Sequence, residues 1–290
     1  MSYLEASYYY CENIAKSNYE NFPVASFLIP APKRKYMYSV YAFARTADNI
    51  ADSKYLKPQD KIEKLDEMGE MVSEFDEARV KNDMHFRNIF TALTDTISAL
   101  SLNKQDFFDL LKAFRQDAVK SSYERFEDIL EYSRYSANPV GRLVLQIFGY
   151  ERERYVELYK MSDDICTALQ LANFWQDVSR DMRMNRVYIP EDLMKKYNYT
   201  KDQLFESVEN DNFKRLMSHL ADETEALFKS GKALPSHLKG RLKYELRAII
   251  NGGMSVLKMI RKEKYKVLSR RVKVKPAHKL LILIKSLFYV

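Results

Sequence analysis

The sequence predicts an all-α protein, and three observations carry that prediction. Only seven Gly and eight Pro interrupt its 290 residues. Leu, Ala, Lys, Glu, Arg and Met, all good helix formers, are plentiful. The strict apolar–polar alternation of half-buried strands is scarce. Hydrophobic residues make up 46% of the chain, ample for a substantial core, so disorder is set aside.

The elements follow from breakers and caps. Helices are expected near 3–19 and, after Pro30-Ala-Pro32, near 33–53. Pro58 opens a third at 58–80, and 84–100 runs to the break at Ser101-Leu-Asn103. Beyond it come 104–118 and a long helix at 124–148 that stops at Gly149. Pro139 lies inside that helix, where it removes a backbone donor and should kink it. Gly141, close behind, admits the near approach of a neighbour or ligand. A helix at 151–184 ends well before Pro190, and 201–206 and 210–230 precede Pro235. The pair Gly252-Gly253 separates 236–250 from 253–269, and 276–288 closes the chain. No Ser/Gly-rich linker, low-complexity tract or repeat divides it. Residues 1–290 are therefore expected to form a single helical domain, a bundle with a central cavity between long helices.

The formal charge is +7, much of it in Arg261–Lys266 and Arg270–Lys275. This basic stretch reads either as a solvated helix face or as an attraction to an anionic membrane surface. Nucleic acid is not an expected partner, because no binding motif accompanies the charge. The segment 275–290 alternates lysines with apolar clusters, which suits a helix lying on a bilayer or one packed on the bundle. Its apolar run, 280–284, is too short to span a membrane. The N-terminus has no apolar signal core, so a cytoplasmic location is expected. Cys11 and Cys166 are far apart and without a CxxC, which argues for two core thiols rather than a disulfide or zinc site.

Two carboxylate pairs stand out: Asp48 with Asp52 and Asp177 with Asp181. At i, i+4 spacing both members of a pair project from one helix face. Four negative charges turned into one cavity would be costly without a cation. Mg²⁺ is the natural one, since it takes a few carboxylates together with substrate phosphate oxygens. On the first helix Tyr41, Arg45, Asp48 and Asp52 share a stripe, with Arg45 placed to neutralise the acids or grip a phosphate. On the second, Gln170, Asn173, Asp177 and Asp181 form a polar seam flanked by Leu169, Leu171, Ala172, Phe174, Trp175 and Val178. Such a seam calls for a hydrated ion or ligand. Arg183, Arg186 and Tyr188 follow, where basic groups would cover a diphosphate. The 21 Tyr, 16 Phe and one Trp supply ring faces that stabilise cations, but periodicity does not pick out which of them face a substrate.

With those residues in hand, the chain resembles the squalene/phytoene synthase family of head-to-head isoprenoid synthases. Its paired motifs are DNIAD (48–52) and DVSRD (177–181). The stretches ENFPVAS (20–26), YAFARTADNIAD (41–52), YSANPVGRLVLQIFG (135–149) and NFWQDVSRDMRMNRVYIP (173–190) are most similar to the bacterial hydroxysqualene synthases of the hopanoid route. The resemblance runs nearly end to end and weakens after about residue 250. It implies an isoprenoid-synthase-type bundle in which Asp48, Asp52, Asp177 and Asp181, with Asn173, hold two or three Mg²⁺ ions on a prenyl diphosphate. Gln170 would orient that shell, and Arg45, Arg183 and Arg186 would bind phosphate oxygens. Phe22, Tyr41, Tyr132 and Tyr188 would border the isoprenoid, and Asn138 and Gly141 would fall where a helix bends beside it. Asn49 and Arg180 stand where many relatives carry acids.

The implied reaction ionises presqualene diphosphate and quenches the cation with water to hydroxysqualene, a carbon–oxygen lyase chemistry. A full condensation of two farnesyl or geranylgeranyl diphosphates to squalene, dehydrosqualene or phytoene is the alternative. A non-catalytic helical assembly factor is the third, disfavoured because both acid pairs are intact. No GxGxxG occurs and NADPH is not expected. Pathway enzymes that make or consume these lipids are the expected protein partners.

Overall fold

Side-chain caps and prolines account for most element boundaries in the computed structural model, which describes residues 1–17, 29–78, 80 and 82–269. The helices in order are α1 (Tyr3–Ser17), α2 (Ala31–Ala51), α3 (Pro58–Ser73), α4 (Met84–Leu100), α5 (Lys104–Val119), α6 (Phe126–Ser136) and α7 (Asn138–Ile147). They continue with α8 (Val156–Arg183), α9 (Glu191–Lys196), α10 (Lys201–Phe205), α11 (Asp211–Gly231), α12 (Leu234–His237) and α13 (Leu242–Lys262). The expected all-α class holds. Among the described residues the sole extended pairing is a single bridge between Ser122 and Val187. None of the described helices is long and apolar enough to cross a membrane. Phe22 and the tail 275–290 lie outside the described residues.

Several boundaries differ from expectation for identifiable reasons. The helix expected at 124–148 is broken outright at Ala137, which caps α6. Pro139 has no N–H to give the Tyr135 carbonyl, so it cannot continue α6, but it is tolerated in the opening turn of α7. The helix expected to run to 80 stops at Ser73, where Glu74 turns extended. The helix expected from 151 begins at Val156, and α9, just after Pro190, was not anticipated. Conversely, Gly252-Gly253 does not break the chain: α13 runs straight through both.

The described residues divide into two compact units, Met1–Lys120 with Pro139–Val156, and Ser121–Asn138 with the chain from Glu157 on. In the first unit α2 packs against α1, α4 and α5, and α3 packs against α5. Phe43 on α2 meets Phe90 edge-on at 6.0 Å and Phe107 at 5.4 Å. Phe43, Ala42 and Ala47 are fully buried, and this sets the rotation of α2 about its axis. Tyr8 Oη donates to Asp95 Oδ2 at 2.6 Å, and Ser39 pairs with Thr96 at 2.7 Å, tying α1 and α2 to α4. Burial pushes the Cys11 thiol up to about 12, which keeps it an inert core group, whereas Cys166 is only half-buried.

In the second unit α13 packs on α11 and α12. Trp175 of α8, fully buried, donates its indole N–H to Thr224 Oγ1 of α11 at 2.8 Å. A Cβ on Gly253 would overlap the Phe228 ring and come within 2.9 Å of Leu169, so the missing side chain is what lets α13 lie close.

Candidate active site

The first half of the site is the stripe on α2. With Ala42, Phe43 and Ala47 turned inward, Tyr41, Arg45 and Asp48 are left half-buried and Asp52 exposed at the helix C-cap. Arg45 Nη1 donates to Asp48 Oδ2 at 2.8 Å. Arg45 Nε is buried and has no hydrogen-bond partner among the described residues, a donor left for an anion. Partial burial raises the Tyr41 phenol above its ordinary value, opposed by Arg45 and assisted by Asp48.

The second half is built on α8. Leu171, Ala172, Phe174, Trp175 and Val178 are buried, as the seam pattern requires. Beside them on the same helix Gln170, Asp177 and Asp181 are half-buried and Asn173 is exposed. Arg180 Nη1 lies 3.7 Å from Asp177 Oδ2. Beyond the helix the chain doubles back. Asp181 carbonyl accepts from the amides of Met184 and Arg186, both at 2.9 Å, and Asn185 takes a left-handed conformation with φ 57°. The amide of Val187 then donates to Ser121 O at 2.8 Å, and Glu191 N to Tyr123 O at 3.1 Å. These bonds hold 187–191 beside 121–123.

That return forms a small, shallow cleft lined by Phe174, Val178, Asp181, Arg186, Val187, Tyr188 and Ile189. Tyr188 stacks on Phe174, with centroids 3.8 Å apart. Tyr132 stands 6.1 Å from both rings, and Tyr123 lies 5.6 Å from Tyr132 and 5.8 Å from Tyr188. The cleft thus combines two charged side chains with stacked rings.

Of the anticipated residues, Asp181, Arg186 and Tyr188 line this cleft and Tyr132 backs it. Arg183 is exposed at the end of α8. Asn138 is buried and its Oδ1 accepts from Thr167 Oγ1 at 2.9 Å, while Gly141 belongs to the first unit with the rest of α7. Tyr123 and Phe174 went unnoticed as site residues. Phe174 read as core because its spacing matches the buried face, and Tyr123 sits in a stretch without periodicity.

The donors suit a hard divalent cation. Each pair offers carboxylate oxygens alone, Asp48 and Asp52 in the first unit, Asp177 and Asp181 in the second. Among the described residues no three His, Cys, Asp or Glu side chains gather into one group. One or two carboxylates completed by phosphate oxygens and water is the ligand set Mg²⁺ takes.

The family model of squalene/phytoene synthase matches residues 15–278. A hydroxysqualene synthase of Sinorhizobium fredii is 33% identical over 244 residues, covering 83% of this chain and 80% of that protein. One from Rhodopseudomonas palustris is 32% identical over 259 residues, covering 89% and 84%. Among solved structures, squalene synthase HpnC from Alicyclobacillus acidocaldarius superposes with a TM-score of 0.81 at 35% identity, over 90% of this chain and 95% of that one. A dehydrosqualene synthase in complex with ligand gives 0.83 at 26% identity, over 98% and 96%.

Proposed function

Since the chain belongs to the squalene/phytoene synthase family, we propose that it ionises presqualene diphosphate and adds water to the resulting cation, giving hydroxysqualene. The observation that carries this reading is the cleft of the second unit, where Asp181 and Arg186 share walls with Phe174 and Tyr188. Charged side chains beside stacked rings suit a substrate with a diphosphate head and a hydrocarbon body. The named hydroxysqualene synthases, at 32–33% identity over most of the chain, support the choice of reaction.

Asp48 and Asp52 of the first unit, and Asp177 and Asp181 with Asn173 of the second, would be the ligands for Mg²⁺. Bound there, Mg²⁺ supplies positive charge to the diphosphate oxygens. The chain's own contribution begins with Arg45, whose uncommitted Nε–H favours a phosphate oxygen. Arg186 would do the same at the mouth of the cleft, Arg183 would close over it from the helix end, and Gln170 would orient the ligand shell. As the carbon–oxygen bond breaks, both electrons leave with the diphosphate, and donors already in place lower that barrier. The rings of Tyr188, Phe174 and Tyr132 would present negative faces to the cyclopropylcarbinyl cation and exclude bulk water. One water then adds to the cation and its proton passes to solvent or to the departed diphosphate. No hydride is consumed, so NADPH should leave the product unchanged. Substrate and product are lipids, and the segment 275–290 would rest on an anionic membrane surface to exchange them.

Product analysis by mass spectrometry tests the reading. Purified protein with Mg²⁺ and presqualene diphosphate should yield hydroxysqualene and yield nothing from farnesyl diphosphate alone. Conversion of farnesyl diphosphate without a partner enzyme would replace the proposal with a complete condensing synthase. Deleting the chain after Lys275 should weaken binding to anionic liposomes; unchanged binding removes the membrane role.

A further inference from the structure

Each carboxylate pair keeps an arginine against its first member, but the two arginines differ. Arg45 lies three residues before Asp48, 2.8 Å away and with 34% of its side chain exposed. Arg180 lies three residues after Asp177, 3.7 Å away and 59% exposed, whereas the Asp177 side chain is only 16% exposed. Arg45 is held by its surroundings. Arg180 is a long side chain in the last turn of α8, more exposed and more loosely paired. Its charge is also the one that opposes the acids of its own helix face.

We infer that Arg180 is a resident counter-ion that holds the second carboxylate pair against premature loading with a divalent cation and then transfers its charge to the diphosphate. The inference rests on the reading of Asp177 and Asp181 as ion ligands. A guanidinium beside Asp177 competes for the same oxygen and repels an arriving doubly charged ion. The same guanidinium attracts a diphosphate ester, which is strongly anionic. Metal alone therefore binds less tightly than the acids would allow, and the diphosphate binds more tightly. Two sites biased by one charge are coupled, and the coupling is reciprocal. For an exposed group a few ångströms from the ion in screening solvent, removing the charge is expected to move each affinity by about three- to tenfold.

A purely structural role is the competing account. An i, i+3 pair near a helix C-terminus supports the helix, and its loss would lower thermal stability slightly without moving two affinities in opposite directions.

The experiment compares full-length wild type, Arg180→Gln and Asp177→Asn. Mn²⁺ affinity is read by electron paramagnetic resonance without ligand. The affinity of farnesyl thiodiphosphate, an unreactive diphosphate ester, is read by calorimetry at saturating Mg²⁺. Arg180→Gln should bind Mn²⁺ about three- to tenfold more tightly and the thiodiphosphate about three- to tenfold more weakly. If Asp177→Asn loses Mn²⁺ and Arg180→Gln shows any pattern other than those opposite movements, the counter-ion role is overturned while the ion site stands. If Asp177→Asn holds Mn²⁺ as well as wild type, the ion-ligand reading fails and the role of Arg180 goes with it.

Discussion

Phe174 and Tyr188 stack face to face, with centroids 3.8 Å apart and planes 8° from parallel. One ring belongs to the buried face of α8 and the other to the strand-like return that follows the helix. The turn at Asn185 and the bridge between Val187 and Ser122 bring them together. The pair joins the apolar core to the charged mouth formed by Asp181 and Arg186.

Replacing Tyr188 by Ala removes the stack, and an aromatic pair contributes about 0.5–1.5 kcal/mol beyond the area it buries. The expected result is a lower melting temperature together with reduced turnover of presqualene diphosphate. Tyr188→Phe keeps the ring and should retain most of both. Equal turnover in wild type and Tyr188→Ala would remove this wall from the substrate site.

Asp48→Asn and Asp177→Asn each remove one carboxylate. By analogy with the loss of one preorganised charge-stabilising group, each should reduce turnover by about 10²–10³-fold at saturating Mg²⁺. Neither side chain is fully buried, so both variants should fold, as circular dichroism would verify. Wild-type turnover in both would show that the pairs do not hold the ions.

The adjacent glycines of α13 should respond with opposite signs. A Cβ on Gly252 meets nothing within 4 Å, so Gly252→Ala should stabilise the helix by about 0.5–1 kcal/mol. Gly253→Ala forces the Phe228 ring and Leu169 to move and should cost about 1–3 kcal/mol. Chemical denaturation of the two variants measures both. A stabilising Gly253→Ala would contradict the close approach described for α13.

His85 supplies a pH signature. Its Nδ1 lies 2.8 Å from Tyr10 Oη and its Nε2 3.1 Å from Thr46 Oγ1, and burial lowers its pKa below the usual 6.5, opposed by Asp83. The unfolded chain then binds the proton more readily than the folded one, so stability is lost as pH falls through 6.5 toward the folded value. The melting-temperature advantage of wild type over His85→Asn should therefore shrink from pH 7.5 to pH 5.5, values chosen to bracket about 6.5. A constant difference would mean that His85 titrates alike in both states.

Much of the site was legible because helical spacing is local. Tyr41, Arg45, Asp48 and Asp52 had to share a face once α2 formed, and Gln170, Asp177 and Asp181 likewise on α8. What spacing missed depends on distant partners. Tyr123 enters the ring cluster only because 121–123 pairs with 187–191, and nothing periodic marks either segment. Gly252-Gly253 read as a break because each Gly weakens a helix by about 1 kcal/mol relative to Ala. Packing of Gly253 on Phe228 and Leu169 outweighs that local penalty. At Pro139 the expectation was a kink, whereas α6 ends at its Ala137 cap and α7 starts afresh at Asn138.

The amino-acid order by itself determined the all-α class, the two acid stripes and the chemistry those acids favour, because each follows from residue type and the 3.6-residue turn. Only the tertiary structure decided that Arg186 and Tyr188 return to Asp181 and Phe174 and that Arg45 keeps a buried donor uncommitted. These outcomes depend on hydrogen bonds and close packing, and neither is visible until the chain has been folded back on itself.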